Sequence, residues 1–144
     1  MAKTTRNSTK RRVTRVSRKN VEICWVLLGA RRGRIWYARR ARRTVGEPLR
    51  VEFDGPAALR REEKFGDVIG FLHTHPAGPP RPSDRDVRTM RAWCSAFGKP
   101  LLCAIAAGET LAGYVFKDHR SKGLAASAIE LFPRGVLVCV EDSG

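Results

Sequence analysis

The sequence predicts a β-rich α/β domain, a mixed sheet with one main helix. Three observations carry this. Short apolar or alternating runs recur at residues 21–28, 35–40, 49–53, 67–73, 101–106, 111–116 and 136–140. One stretch, 83–97, has instead the three-four spacing of an amphipathic helix through Val87, Met90, Cys94 and Phe97. Turn residues punctuate the runs at Gly33, Asp54-Gly55, Gly98, Pro100 and Gly108.

Residues 1–20 hold eight Lys or Arg and no acid, interleaved with Ser, Thr and Asn. Such a composition cannot build a core, so a largely disordered segment is expected, with an edge strand conceivable over 12–16. The folded domain then spans 21–144. Residues 21–28 are apolar and β-branched enough for a buried strand, and 31–34 read as a turn. Strands are expected over 35–40 and 49–53, the latter alternating in Arg50-Val51-Glu52-Phe53. Residues 31–43 carry seven arginines around Trp36 and Tyr37. Arginine beside aromatics can mark nucleic-acid contact; a solvated hairpin is the favoured reading. A short helix fits 56–65. The strand 67–73 and the helix 83–97 follow, with Met90 and Trp93 read as core. Residues 101–106 and 111–116 form a hairpin, 124–131 reads equally as helix or strand, and 136–140 is a last strand. His119, between Asp118 and Arg120, is read as a surface residue.

With 144 residues the chain is one domain with room for one proper core. Its net charge of +14 points to an acidic partner, against a bland role in solubility. Cys24, Cys94, Cys103 and Cys139 are scattered in apolar segments, as buried reduced thiols are. That usage fits a cytoplasmic protein. No apolar stretch approaches the ~20 residues that span a bilayer, so no membrane partner is expected. Residues 1–20 lack the apolar centre of a secretion signal.

The most informative stretch is 70–86. His73 and His75 stand two apart where an apolar strand ends, so both imidazoles project from one face. Residues 76–82 hold four prolines and a glycine, a stiff loop that can present Asp86 to the histidines. Two imidazoles and one carboxylate with a fourth position open is a catalytic zinc pattern. Ser83 followed three residues later by Asp86 is also a helix capping pattern, and both readings can hold together.

His-x-His-x7-Ser-x-x-Asp resembles the motif of the JAMM (MPN+, JAB) metalloproteases, and the resemblance runs from about residue 21 to 140. The family places a glutamate upstream in a strand reading Glu-x-x-Gly-x-Leu-x-Gly. Here Glu22-Ile23-Cys24-Trp25-Val26-Leu27-Leu28-Gly29 is similar, with Trp25 in place of the first glycine. Where the family usually has a helix before that strand, this chain has the short basic segment. The resemblance implies the JAMM fold, a cytidine-deaminase-like curved mixed sheet flanked by helices. It implies Zn2+ bound by His73, His75 and Asp86, with Glu22 as general base then acid and Ser83 as oxyanion donor. The implied substrate is a peptide or isopeptide bond after the tail of a ubiquitin-like protein, and that protein and its conjugates are the implied partners. The short chain looks like the stand-alone bacterial members of ubiquitin-like conjugation systems, including anti-phage ones. An acidic protein surface is a further expected partner and nucleic acid ranks second. The alternative is a DNA-associated protein similar to RadC, which carries a related His-x-His motif.

Overall fold

The computed structural model of the protein describes residues 21–46 and 54–143. The basic segment 1–20, the edge strand expected over 12–16 and the strand expected over 49–53 lie outside the described residues. Among those described, strands β1 (Ile23–Arg32), β2 (Ile35–Val45), β3 (Val68–Thr74), β4 (Leu101–Ala107), β5 (Thr110–Phe116), β6 (Leu124–Ala125), β7 (Ala128–Leu131) and β8 (Val136–Val140) form one sheet. Helices α1 (Gly55–Phe65) and α2 (Asp84–Phe97) and a 3-10 turn at Pro133–Gly135 complete the described fold. The strand order is β6-β5-β4-β3-β1-β2-β8-β7. β3 and β4 are parallel, joined by α2 as the crossover, and the other ladders are antiparallel. The expected mixed α/β sheet flanked by helices is the observed architecture.

The first hairpin is longer than its apolar pattern. β1 continues through Arg31 and Arg32, so the turn shrinks to Gly33 and Arg34. β2 extends to Val45. The ladder continues where side chains are exposed and arginine is tolerated on a solvated face. Residues 124–131, open between helix and strand, are the short strands β6 and β7.

Each face of the sheet has its own core. Val26, Leu28, Phe71, Cys103 and Ile105 turn to one face and pack under Ala58 of α1 and Met90 and Cys94 of α2. Leu27, Leu72, Leu102, Val115, Leu137 and Cys139 fill the other. Among the described residues no helix packs on that second core, and strands from the two ends of the sheet approach each other across it. β5 reaches the β7–β8 arm, and a side chain on Gly113 would press on Cys139 Sγ and Ile129. Ala126 N–H donates to Gly113 C=O across the same approach (2.8 Å). β3 is buried on both faces, which is why it reads as an unbroken apolar run. All four cysteines are buried free thiols, as their apolar settings predict. No described helix is long and apolar enough to cross a membrane.

One carboxylate ties the hairpin to the last strand. Glu141, buried just after β8, accepts from Arg31 Nε (2.6 Å), Trp36 Nε1 (2.7 Å) and Lys117 Nζ (3.0 Å). Burial alone would raise its pKa, but the two cations and the indole hold it down at about 2 against an ordinary 4.5. Its stabilising contribution is therefore complete above about pH 4.5 and is lost as pH falls toward 2, roughly 3 kcal/mol over the window. Glu141→Gln should melt well below the parent at neutral pH, and the gap should close as acid protonates the parent's carboxyl. Thermal melts of both proteins across that range check this.

Candidate metal centre

The site forms where β1 begins, β3 ends and α2 begins. The β1–β3 register pairs Cys24 with His73 and Trp25 with Leu72. One step beyond Cys24 and His73 on the same face lie Glu22 and His75, which the antiparallel sum sets opposite each other. Ile23 N–H donates to Thr74 Oγ1 (2.9 Å) and Gly46 N–H to Glu22 C=O (2.8 Å), which fix the head of β1 against its neighbours. Gly29, at the far end of the glutamate strand, is required by packing: a side chain there would collide with the Tyr37 carbonyl. Trp25 points to the opposite face, into the helix-free core under Arg40. Its replacement of the family's glycine therefore leaves the Glu22 face untouched.

α2 delivers Asp86. Ser83 is its N-cap, and the cap is reciprocal: Asp86 N–H donates to Ser83 Oγ (3.1 Å) and Ser83 N–H donates to Asp86 Oδ2 (3.0 Å). The loop 76–82 is held at three points. His75 N–H donates to Ala106 C=O (2.8 Å), Tyr114 O–H donates to Pro80 C=O (2.8 Å), and Arg81 N–H donates to Pro79 C=O (2.8 Å).

The structure brings together all five residues singled out in the sequence. His73 Nε2 lies 3.0 Å from His75 Nε2 and 3.2 Å from Asp86 Oδ2, and His75 Nε2 lies 3.0 Å from that same oxygen. A tetrahedral zinc with bonds of 2.0–2.1 Å sets its ligand atoms ~3.3 Å apart, so this triangle is the right size. Its chemistry fits as well. His75 Nδ1 lies 2.7 Å from Pro79 C=O, which can only accept, so the neutral ring carries its proton on Nδ1 and turns a lone pair at Nε2 inward. That lone pair faces a carboxylate oxygen, an arrangement that calls for a cation between them. Glu22 forms a second set with the same histidines, its carboxylate and their ring nitrogens lying within 4.8 Å of one another. It is half-buried, while His73 is buried and Ser83 exposed.

When no ion is present, protons on the imidazoles supply the positive charge between these atoms. Burial would raise the Asp86 pKa, but the two imidazoles and the Ser83 N–H outweigh it and hold the carboxyl well below the usual range. Asp86 in turn raises the pKa of His75. Cys24, on the same face, is no nucleophile: burial first, then the charges of Glu22 and Asp86, push its thiol far above the ordinary value. Sequence reasoning missed the supports Thr74, Pro79 and Tyr114. Backbone carbonyls leave no mark in sequence; Thr74 falls just past the strand expected over 67–73, and Tyr114 reads there as an ordinary strand residue.

The family model for prokaryotic homologs of the JAB domain matches residues 10–119. The chain belongs to this JAB family. A desampylase of Pyrococcus furiosus is 33% identical to it over 82 residues, 54% of this chain and 58% of the relative. The chain thus spans less than two thirds of that JAB-family relative. The matched range includes His73, His75, Ser83 and Asp86.

Proposed function

We propose that this protein is a zinc-dependent isopeptidase or peptidase that cuts after the C-terminal tail of a ubiquitin-like protein, removing conjugates or processing precursors. The observation that carries the reading is the His73–His75–Asp86 triangle with Glu22 beside it. Membership of the JAB family and similarity to a protein named desampylase support the substrate class. His73, His75 and Asp86 would hold the ion, and Glu22, set back from the tight triangle, stays free for proton transfer. An ion held there would lower the pKa of a bound water toward ~7 and polarise a carbonyl. Glu22 then takes the attacking water's proton and returns it to the departing amine. Ser83 Oγ accepts from Asp86 N–H and keeps its own O–H to donate to the oxyanion of the attacked carbonyl.

The test is cleavage of a ubiquitin-like protein fused through its tail to a reporter, by zinc-loaded protein, with a chelator-treated control. Ser83 offers a finer one, because its two roles differ in magnitude. Losing an oxyanion donor costs about 10²–10³ in kcat, whereas losing a cap costs ~1 kcal/mol of stability. Ser83→Ala should therefore show a large fall in kcat at temperatures where the variant is fully folded. Normal turnover with a lowered Tm would leave only the cap.

The setting we propose is a bacterial ubiquitin-like conjugation system, including the anti-phage kind, in the cytoplasm. Neighbouring genes for a ubiquitin-like protein and its activating and conjugating enzymes would support it. The charge of +14 favours one other reading, a DNA-associated JAB protein similar to RadC. Strongly salt-dependent binding to random DNA, without cleavage of the fusion, would favour that reading instead.

A further inference from the structure

A concave feature lies apart from the metal centre. Between the helix-side face of β1–β2 and α1 runs a cleft of about 510 Å³. Its floor is aliphatic: Val26, Leu28, Ala41, Ala57 and Ala58. Its rim among the described residues is Arg39, Arg42, Arg60, Arg61 and Lys64, with no carboxylate. Two of these cations are already matched. Arg61 makes a two-pronged pair with Asp67 (2.8 and 2.7 Å), and Arg42 pairs with Asp54 (3.0 Å). Arg39, Arg60 and Lys64 are exposed and make no ion pair among the described residues.

We infer that this cleft binds an acidic peptide segment with an apolar anchor residue, a docking segment of the protein substrate. The floor takes the anchor, and Arg39, Arg60 and Lys64, exposed and outside any close ion pair among the described residues, take the flanking carboxylates. The alternative polyanion, single-stranded nucleic acid, gains little from such a floor, because no aromatic ring lines it for bases to stack on. The position suits docking. Glu22 stands one residue before β1 and Val26 within it, four residues and ~13 Å apart along an extended chain. A segment seated in the cleft is therefore within a few residues' reach of the metal centre. The docking role rests on the isopeptidase reading; binding of the peptide does not.

The experiment measures fluorescence anisotropy with the full-length, zinc-loaded protein near physiological salt. The probe is a labelled peptide with Leu-Phe flanked on each side by a run of glutamates. Two comparison ligands carry the same charge: the peptide with Ser-Ser at its centre, and an oligothymidylate. The Leu-Phe peptide should bind at least about tenfold more tightly than either. Arg39→Glu with Arg60→Glu should weaken it by at least the same factor, and Lys64→Glu gives an independent charge reversal should the double variant fold poorly. Equal affinity for the Ser-Ser peptide, tighter binding of the oligothymidylate, or indifference to both charge reversals would overturn the inference. Cleavage assays separate the two proposals. In the double variant, cleavage of a short tail peptide should persist while that of a substrate bearing the acidic segment slows. A wild-type protein that binds the probe yet cleaves nothing would sink the isopeptidase reading and leave the cleft standing.

Discussion

Glu22→Ala should lose about 10²–10⁴ in turnover while keeping its zinc. That range is what a positioned general base contributes. Retention of metal follows from the geometry, since the tight triangle is His73, His75 and Asp86, with separations of 3.0–3.2 Å, and does not include Glu22. The side chain sits at the head of β1, where the main chain is fixed by Gly46 N–H and by Thr74, so its removal leaves the strand in place. Glu22→Gln isolates the proton-transfer role, because it preserves size and polarity and should be nearly as inactive as alanine. Two measurements are needed, single-turnover cleavage and zinc content on the same preparation. An active, zinc-replete Glu22→Ala protein would move the base to another carboxylate, with Glu47 and Glu52 the next to test. Loss of zinc along with activity would instead make Glu22 a ligand.

Asp86→Ala should lose both metal and activity, and should also lower the stability of α2. Its Oδ2 meets both imidazoles and the Ser83 N–H, so one substitution opens the triangle and half of the capping box. A His73→Ala, His75→Ala double variant removes the two ring nitrogens but leaves the box intact. The pair therefore separates metal loss from cap loss. Both should be empty by metal analysis, and only Asp86→Ala should show the added helix-cap deficit of ~1 kcal/mol. A thermal readout exists that does not depend on turnover. Ligand that binds only the folded state stabilises it by about 2.7 kcal/mol at a hundredfold excess over Kd. Zinc should raise the Tm of the parent and of Glu22→Ala, and leave both ligand variants unmoved. Full zinc occupancy in the double histidine variant would refute the site.

Much of the fold was legible because its signals are local. The helix over 84–97 announced itself through a cap, three-four periodicity and a terminating glycine, and Gly98 indeed closes it in the left-handed conformation. β3 read as a strand because burial on both faces made it uniformly apolar. The hairpin arms were underestimated for the opposite reason. Arg31 and Arg32 belong to the ladder but are exposed, where pairing needs no apolar side chain. Residues 124–131 stayed undecided because β6 and β7 are short edge strands whose side chains are mostly exposed. The site divided along the same line. The ligand-type residues could be picked out by type and spacing. What orients them could not, since the Pro79 carbonyl that sets the His75 proton and the Thr74 hydroxyl that pins β1 act through contacts. Glu141 was invisible for the same reason. Its partner Arg31 lies 110 residues away in sequence, and an acid after a last strand has no motif.

The capping box has one more consequence. Asp86 is aimed by the first turn of α2 and His75 by the Pro79 carbonyl, so the three donor atoms converge through bonds that involve no ion. The ion is then a guest in a finished seat and not the peg that holds the seat together. Stripped protein should keep its circular dichroism and compactness and reload without refolding. Cobalt should enter the same seat and give a visible spectrum whose intensity reports tetrahedral coordination. The centre could then be watched by colour, with no substrate in hand.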